Sequence, residues 1–181
     1  MIRVTFLGTS ASRPTVRRNV SAIAIQRESD LLLFDCGEGT QRQMMRYGTG
    51  FRVRDLFLTH LHADHFLGIT GLIRTMALQG RSDPLYVFGP SGSGMTLRQA
   101  VGLGMDRPVF PITVEELEAG ARIGRDGYDI VPFHVDHGIS AQGYALVEHE
   151  RLGRFDVERA QALGVPKGPL FGRLHEGHSV E

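Results

Sequence analysis

The chain has 181 residues, 41% of them hydrophobic and 22% charged, a size and mixture that suit one globular domain with a sizeable core. Twenty basic residues balance twenty acidic ones, so a protein that holds an anionic partner by bulk charge is excluded and only local patches remain for that purpose. A single cysteine, Cys36, excludes an intramolecular disulfide; no apolar run is long enough to span a bilayer, the opening MIRVTFLGTS lacks the features of a signal peptide, and a cytoplasmic location is expected.

Taken in chain order, the alternation in IRVTFLG predicts a strand ending at Gly8, followed by the polar loop TSASRPTVRRN. SAIAIQ and LLLFDCG predict two further strands with a turn near residues 28–30. EGTQRQMMRYG predicts a short helix stopped by Gly48 and Gly50. VRDLFLT predicts a strand, FLGITGLIRTMALQG a helix ending at Gly80, PLYVFGP another strand and SGSGMTLRQAVGLG another helix. YDIVPFHVDH and AQGYALVE predict strands joined at Gly138, DVERAQALG a helix ended by Gly164, and VPKGPLFG a Pro/Gly-rich turn. Strands precede helices often enough to predict a layered α/β architecture over residues 1–181 as one domain.

The unusual stretch is LFLTHLHADHFLGITGLI, residues 56–73, which places His60, His62, Asp64 and His65 between a strand and a helix. Imidazole and carboxylate together are the ligand set of zinc. His60 and His62 are two apart on extended chain, so their side chains point the same way and can grip one ion. Asp64 and His65 are adjacent at the start of the helix, point elsewhere and suit a second ion beside the first. Two zincs about 3.5–4 Å apart can activate water and clamp a phosphate oxygen. Gly68, one turn on, is expected to leave room next to the metals.

THLHADH resembles the signature of the metallo-β-lactamase superfamily. VTFLGTSASRPTVRRNVSAIAI, LLLFDCGEGTQRQMMR, FLTHLHADHFLGITGLI, VDHGISAQGYAL and LGVPKGPLFGRL are similar to successive motifs of one family within it, ribonuclease Z, which trims the 3′ end of precursor tRNA. The resemblance implies a four-layer αββα sandwich. It implies a first zinc on His60, His62 and His137 and a second on Asp64 and His65, with Asp64 also accepting a proton. It further implies precursor tRNA as substrate, a homodimer, and a tRNA-gripping arm around residues 150–174. His134 rivals His137 because FHVDH offers both; three apart on a strand, the two would face opposite sides, and the shared pattern favours His137.

Asp35 lies just after a strand, where the resemblance implies an aspartate that supports a metal histidine, and Cys36 is read as a packed residue. GPSGSG, residues 89–94, could cradle a phosphate but lacks the known phosphate-loop spacings and reads as a plain loop. His149, His175 and His178 fit no motif position and read as surface residues. Arginines fall in clusters: Arg13, Arg17 and Arg18 in the first loop, Arg42 and Arg46 on the first helix, and Arg151, Arg154, Arg159, Lys167 and Arg173 near the end. The last cluster, in the arm region, is the expected RNA contact. The second zinc has only two of its expected ligands here, since the bridging aspartate and late histidine of the family lie beyond the Gly-Pro motif. The chain alone is therefore expected to be incomplete at its C-terminus, to leave the inner face of its sandwich exposed and not to cleave tRNA unaided. A small-ester hydrolase on the same fold, and a zinc- or RNA-binding chain without activity, are the competing readings.

Overall fold

The computed structural model describes residues 1–104, 108–150 and 152–180. In chain order its elements are β1 (Ile2–Gly8), β2 (Ala22–Arg27), β3 (Asp30–Phe34), α1 (Thr40–Tyr47), β4 (Val53–Phe57), α2 (Ala63–Phe66), α3 (Ile69–Leu78), β5 (Leu85–Pro90), α4 (Gly94–Gly102), β6 (Ile112–Leu117), β7 (Ile123–Arg125), β8 (Tyr128–His134), β9 (Gln142–Glu148), α5 (Val157–Ala162) and α6 (Pro169–His175).

Strands β1 to β6 form one sheet in sequence order, and β7 to β9 a second. The chain from β1 to β3 turns back on itself in antiparallel hairpins. From β3 to β6 the pairing is parallel. Parallel neighbours need long crossovers, and α1, α2 with α3, and α4 supply them. Side chains alternate across the sheet. Leu31, Leu33 and Leu56 point to the helices, where they pack with Met44 of α1, Leu72, Ile73 and Met76 of α3 and Leu97 of α4. Leu32, Phe57 and Phe88 point the other way and meet Ile123, Tyr128 and Ile130 of the second sheet. Phe57 lies stacked between Phe34 and Phe88, at 5.1 and 5.0 Å between ring centres. Each such fully buried ring contributes roughly 1.5–3 kcal/mol.

Two guanidinium groups, of buried Arg27 and half-buried Arg125, tie the sheets together. Arg27 on β2 donates to Glu148 on β9 (3.0 Å) and to the carbonyls of Asp126 and Gly127. Arg125 on β7 binds Asp55 on β4 through two bonds, of 2.8 and 3.0 Å, the bidentate geometry that makes a buried pair tolerable. Through these clamps the second sheet is held in a fixed place over the first, and with it the loop that follows β8.

Several expectations are corrected. Strands β6 and β7 had no counterpart in the sequence pattern. β6 is an edge strand with exposed Glu115 and Glu116, and β7 has three residues, too few for a period to show. The helix expected to run on to Gly80 is broken into α2 and α3. Gly68 sits at the break and donates its N–H to the Cys36 carbonyl (2.8 Å). A Cβ there would lie 2.1 Å from the Gly37 carbonyl oxygen, so Gly68 makes room for backbone rather than for metals. The turn expected at VPKGPLFG becomes helix from Pro169, because proline is well suited to a first helical position. β8 stops at His134, which leaves His137 on a loop rather than on a strand.

The inner face is also better covered than expected. The second sheet shields it from β3 to β6, and exposure is confined to the Ile2, Val4 and Phe6 stripe of β1. The described residues thus build a helical layer and two sheets. The outer face of the second sheet is half-buried at Val131 and Ala145 and exposed at Phe133 and Val147.

Candidate metal centre

The site gathers where the strands of the first sheet end. Chain leaving β4 at Phe57 bends at Thr59, passes His60 and an extended His62, and then turns into α2. His60 Nε2 and His62 Nδ1 lie 3.1 Å apart, and His137 Nε2, brought in by the loop after β8, lies 3.3 Å from the same His62 atom. One nitrogen from each ring falls within 4.8 Å of the others. Three imidazoles converging in this way can hold one metal ion with a position left open. Burial holds His60 at a pKa of about 4, with the neighbouring His65 acting in the same direction, so near neutral pH its lone pair is free to ligate.

Beside this trio stand Asp64 and His65, with Asp64 Oδ2 3.5 Å from His65 Nε2. Burial opposes ionisation of Asp64, but the Ser12 N–H donates to its Oδ2 (2.7 Å) and the net result is a carboxyl held below its ordinary range. Burial likewise opposes protonation of His65, yet the hydrogen bond it donates to Asp35 and the charges of Asp35 and Asp64 carry it above the ordinary histidine value. The His60 and His65 rings are 4.0 Å apart between centres.

Asp35 is the organiser. It follows β3 with φ at 58°, a left-handed conformation that costs a non-glycine residue energy and is kept only where surrounding bonds demand it. Its carboxylate receives the Thr59 N–H (2.9 Å), the Thr59 hydroxyl (2.9 Å), the Ser21 hydroxyl (3.0 Å) and His65 Nδ1 (2.6 Å). With Nδ1 committed to Asp35, His65 presents Nε2 toward Asp64. Thr59 Oγ1 also lies 2.9 Å from His60 Nδ1, which leaves Nε2 of that ring for the trio. Hydrogen bonds of this kind fix the tautomer and orientation of metal-binding histidines.

Ser12, Ser21 and Thr59 were not anticipated. Thr59, directly before His60, carried a readable signal; Ser12 and Ser21 act across long sequence separations and carried none. Gly37 also belongs to the site, because a Cβ there would lie 2.3 Å from the Asp64 carbonyl oxygen. His134 does not join the trio and lines a separate cavity with Ser91, Leu117 and Ser140. Cys36 is fully buried and its thiol is pushed up to about 12 by that burial, so it packs rather than reacts. In the loop before α4, the N–H groups of Gly92 and Gly94 are taken by the Glu116 carboxylate (2.7 and 2.8 Å), so an internal anion fills the place a phosphate would need.

The arm residues lie elsewhere. Arg154, Arg159, Lys167 and Arg173 are exposed on the segment that carries α5 and α6, and Arg151 is outside the described residues. His175 donates from Nε2 to the Gly153 carbonyl of that same segment (2.8 Å). His149 faces Asp129 at 3.0 Å, and His178 is exposed.

A profile of the metallo-beta-lactamase superfamily matches residues 15–149, and the chain belongs to that superfamily. Within it, the chain is 57% identical over 179 residues to a protein named Ribonuclease Z from Gemmatimonas aurantiaca, and 53% identical over 180 residues to one of the same name from Myxococcus xanthus. These alignments take in 98% and 99% of this chain but 57% and 59% of the relatives, so the chain spans somewhat under three fifths of their length. Among solved structures, the short form of human tRNase Z superposes with a TM-score of 0.72 at 32% identity, covering 82% of this chain and 65% of that one. The metallo-beta-lactamase fold protein YhfI from Bacillus subtilis, at 16% identity and a TM-score of 0.68, shares the fold, with 81% of this chain and 58% of that one covered. No described helix is long and apolar enough to cross a membrane.

Proposed function

We propose that this chain carries the metal-binding part of a zinc-dependent endoribonuclease that removes the 3′ trailer of precursor tRNA, acting in the cytoplasm as a homodimer. The observation that supports it most is the convergence of His60, His62 and His137 on one point with Asp64 and His65 beside it, in a chain similar to ribonuclease Z along its whole length. His60, His62 and His137 would hold a first zinc, and Asp64 with His65 a second. The donor set fits: imidazole nitrogens and a carboxylate are the ligands zinc takes, and a neutral His60 is ready to bind. The chemistry supplied by a metal pair held there is Lewis-acid activation of water and of a phosphoryl oxygen.

The chain's own residues do the rest. Asp64, ionised at neutral pH and anchored by the Ser12 N–H, takes the proton released when water attacks phosphorus. The P–O3′ bond breaks, the trailer keeps the phosphate at its 5′ end, and O3′ takes up a proton, passed on from Asp64 or from water, so that the tRNA leaves with a 3′-hydroxyl. Asp35 holds His65 in the required tautomer throughout. The exposed Arg154, Arg159, Lys167 and Arg173, with Arg151 in the same stretch, would contact the tRNA body away from the cut.

The test fuses residues 1–181 to the part of the Gemmatimonas aurantiaca relative that follows its matched segment. The fusion, loaded with zinc, should cut a 3′-extended precursor tRNA, lose that activity to a chelator, and lose at least 90% of it on Asp64→Ala while still binding tRNA. A zinc-loaded, folded fusion that leaves the precursor intact would sink the reading.

A further inference from the structure

The three converging imidazoles come from two different sheets. His60 and His62 follow β4 of the first, and His137 follows β8 of the second. Their nitrogens meet around one ion only if the sheets are registered to within about half an ångström where those strands end. The Arg27 clamp cannot set this alone. It holds Glu148 at the finish of β9, whereas β9 starts at Gln142 beside the centre. Six residues of strand put roughly 20 Å between those two ends.

Three bonds fasten the near end. The Gln142 N–H donates to the carbonyl of Thr59, the residue directly before His60 (2.9 Å). The Tyr144 hydroxyl, two residues along β9, donates to the Leu58 carbonyl (2.8 Å). Side chains two apart on a strand share a face, and the buried Gln142 amide donates to that same hydroxyl. The Tyr144 ring fills the space between the sheets, tilted against Phe34 and Phe57 at 5.7 and 5.1 Å between centres. The third bond lies outside the strands. Ser140, in the loop that carries His137, donates its hydroxyl to the Ser91 carbonyl (3.1 Å). Ser91 belongs to the loop before α4, which Glu116 on β6 holds through the Gly92 and Gly94 N–H groups. The His137 loop is closed at its base by the Val135 N–H, which donates to the Ala141 carbonyl (3.3 Å). Asp35 and Thr59 orient His60 and His65; these three bonds act instead on the distance from His137 to the ligands of the first sheet.

We propose that Tyr144 and Ser140 are positioning residues of the metal centre, fixing where His137 stands against His60 and His62. Tyr144 holds β9 against the chain that enters His60, and Ser140 keeps the His137 loop from swinging away. Both serve the first zinc site of the reading above, on which their role rests.

The test is cobalt(II) binding to the metal-free 181-residue chain, read from the visible absorption of the first equivalent, since that band reports both affinity and the arrangement of the ligands. Tyr144→Phe is compared with Tyr128→Phe. Each loses one hydroxyl between the same two sheets, because the buried Tyr128 hydroxyl donates to Asp30 (2.8 Å) and Tyr128 pairs with Glu148 at the far end. Thermal melts of the metal-free proteins record the stability each variant loses. Tyr144→Phe should bind cobalt about tenfold more weakly and with a shifted band, while Tyr128→Phe stays within about twofold of the parent whatever it costs in melting temperature. Ser140→Ala, at an exposed position, should weaken binding several-fold, and Ser140→Thr should restore it. Should Tyr144→Phe melt below the assay temperature, the two Ser140 variants decide alone. A parent-like affinity and band in folded Tyr144→Phe or in Ser140→Ala, or equal losses in the two tyrosine variants, would overturn the proposal. Those outcomes leave the endoribonuclease reading standing. A zinc-loaded fusion that leaves precursor tRNA intact is the separate failure of that reading, and it leaves the cobalt result as it was.

Discussion

The metal centre and the C-terminal segment are built on opposite terms. Around the centre almost every polar atom is committed. Asp35 takes four bonds from three residues, His60 and His65 each have one ring nitrogen occupied, and the residues involved lie as far apart as Ser12 and His137. From residue 152 onward the described contacts stay within the segment: Phe155 packs on Phe171, His175 reaches Gly153, and Asp156 caps α5 through the Arg159 N–H. Ala160 is the one buried residue described there. The difference teaches that a constellation needing sub-ångström placement is tied to strand ends, where the sheets fix the backbone. A contact surface can sit on helices with little core of their own.

The largest expected break comes from His137. His137→Ala should weaken zinc binding by well over tenfold, measured as metal retained after dialysis against a graded chelator, while His134→Ala should leave it unchanged. Equal loss from both would show that the separation of His134 from the trio is not what decides ligation.

Asp35→Ala tests whether the centre depends on its support. Loss of an outer partner of metal histidines typically costs about 10- to 100-fold in affinity, and the unpaired Thr59 N–H adds about 1–3 kcal/mol of instability. Zinc affinity within twofold of the parent would mean that His65 and Thr59 hold their places without the carboxylate.

Acid tests the same region through stability. Folded His60 stays neutral down to about 4, whereas an unfolded histidine takes up a proton near 6.5. Between those values the unfolded state binds more protons, so the metal-free chain should gain stability as pH rises through this window and lose it on acidification. His60→Gln should flatten that dependence in melting temperature. A parent and variant with parallel profiles would show that His60 does not carry the effect. His65, raised by Asp35, acts with the opposite sign: its contribution is complete at low pH and fades as pH climbs through its folded value.

The smallest effect is expected at the other region. A chain ended after residue 150 should melt within about 4 °C of the parent, since it gives up little buried surface. A drop beyond about 10 °C would mean that α5 and α6 support the sandwich after all.

Much of this was legible before any coordinates. The alternation in β1 and the short apolar runs of β2 to β5, β8 and β9 announced the strands, and the glycines after α1 and α3 marked helix ends. His60, His62, Asp64 and His65 drew attention by composition alone, because three imidazoles and a carboxylate in six residues have few other uses. The family resemblance also singled out Asp35, just after a strand. It could not show why Asp35 tolerates a left-handed backbone, since that depends on Thr59, Ser21 and His65 arriving from three other places.

What the sequence by itself determined was local: period, turn chemistry, ligand type and the spacing that lets His60 and His62 point together. These follow from forces that act over a few residues along the chain. The family pattern favoured His137 over His134, but only the tertiary structure decided how it reaches the trio: β8 ends at His134 and the loop beyond it brings His137 inward. The same holds for Gly68, whose missing side chain admits the Gly37 carbonyl, and for the bonds that Tyr144 and Ser140 send across to Leu58 and Ser91. Those outcomes depend on which distant segments pack against one another. That choice is set by the burial of Leu32, Phe57 and Phe88 between two sheets and by the arginine clamps that lock the sheets in place.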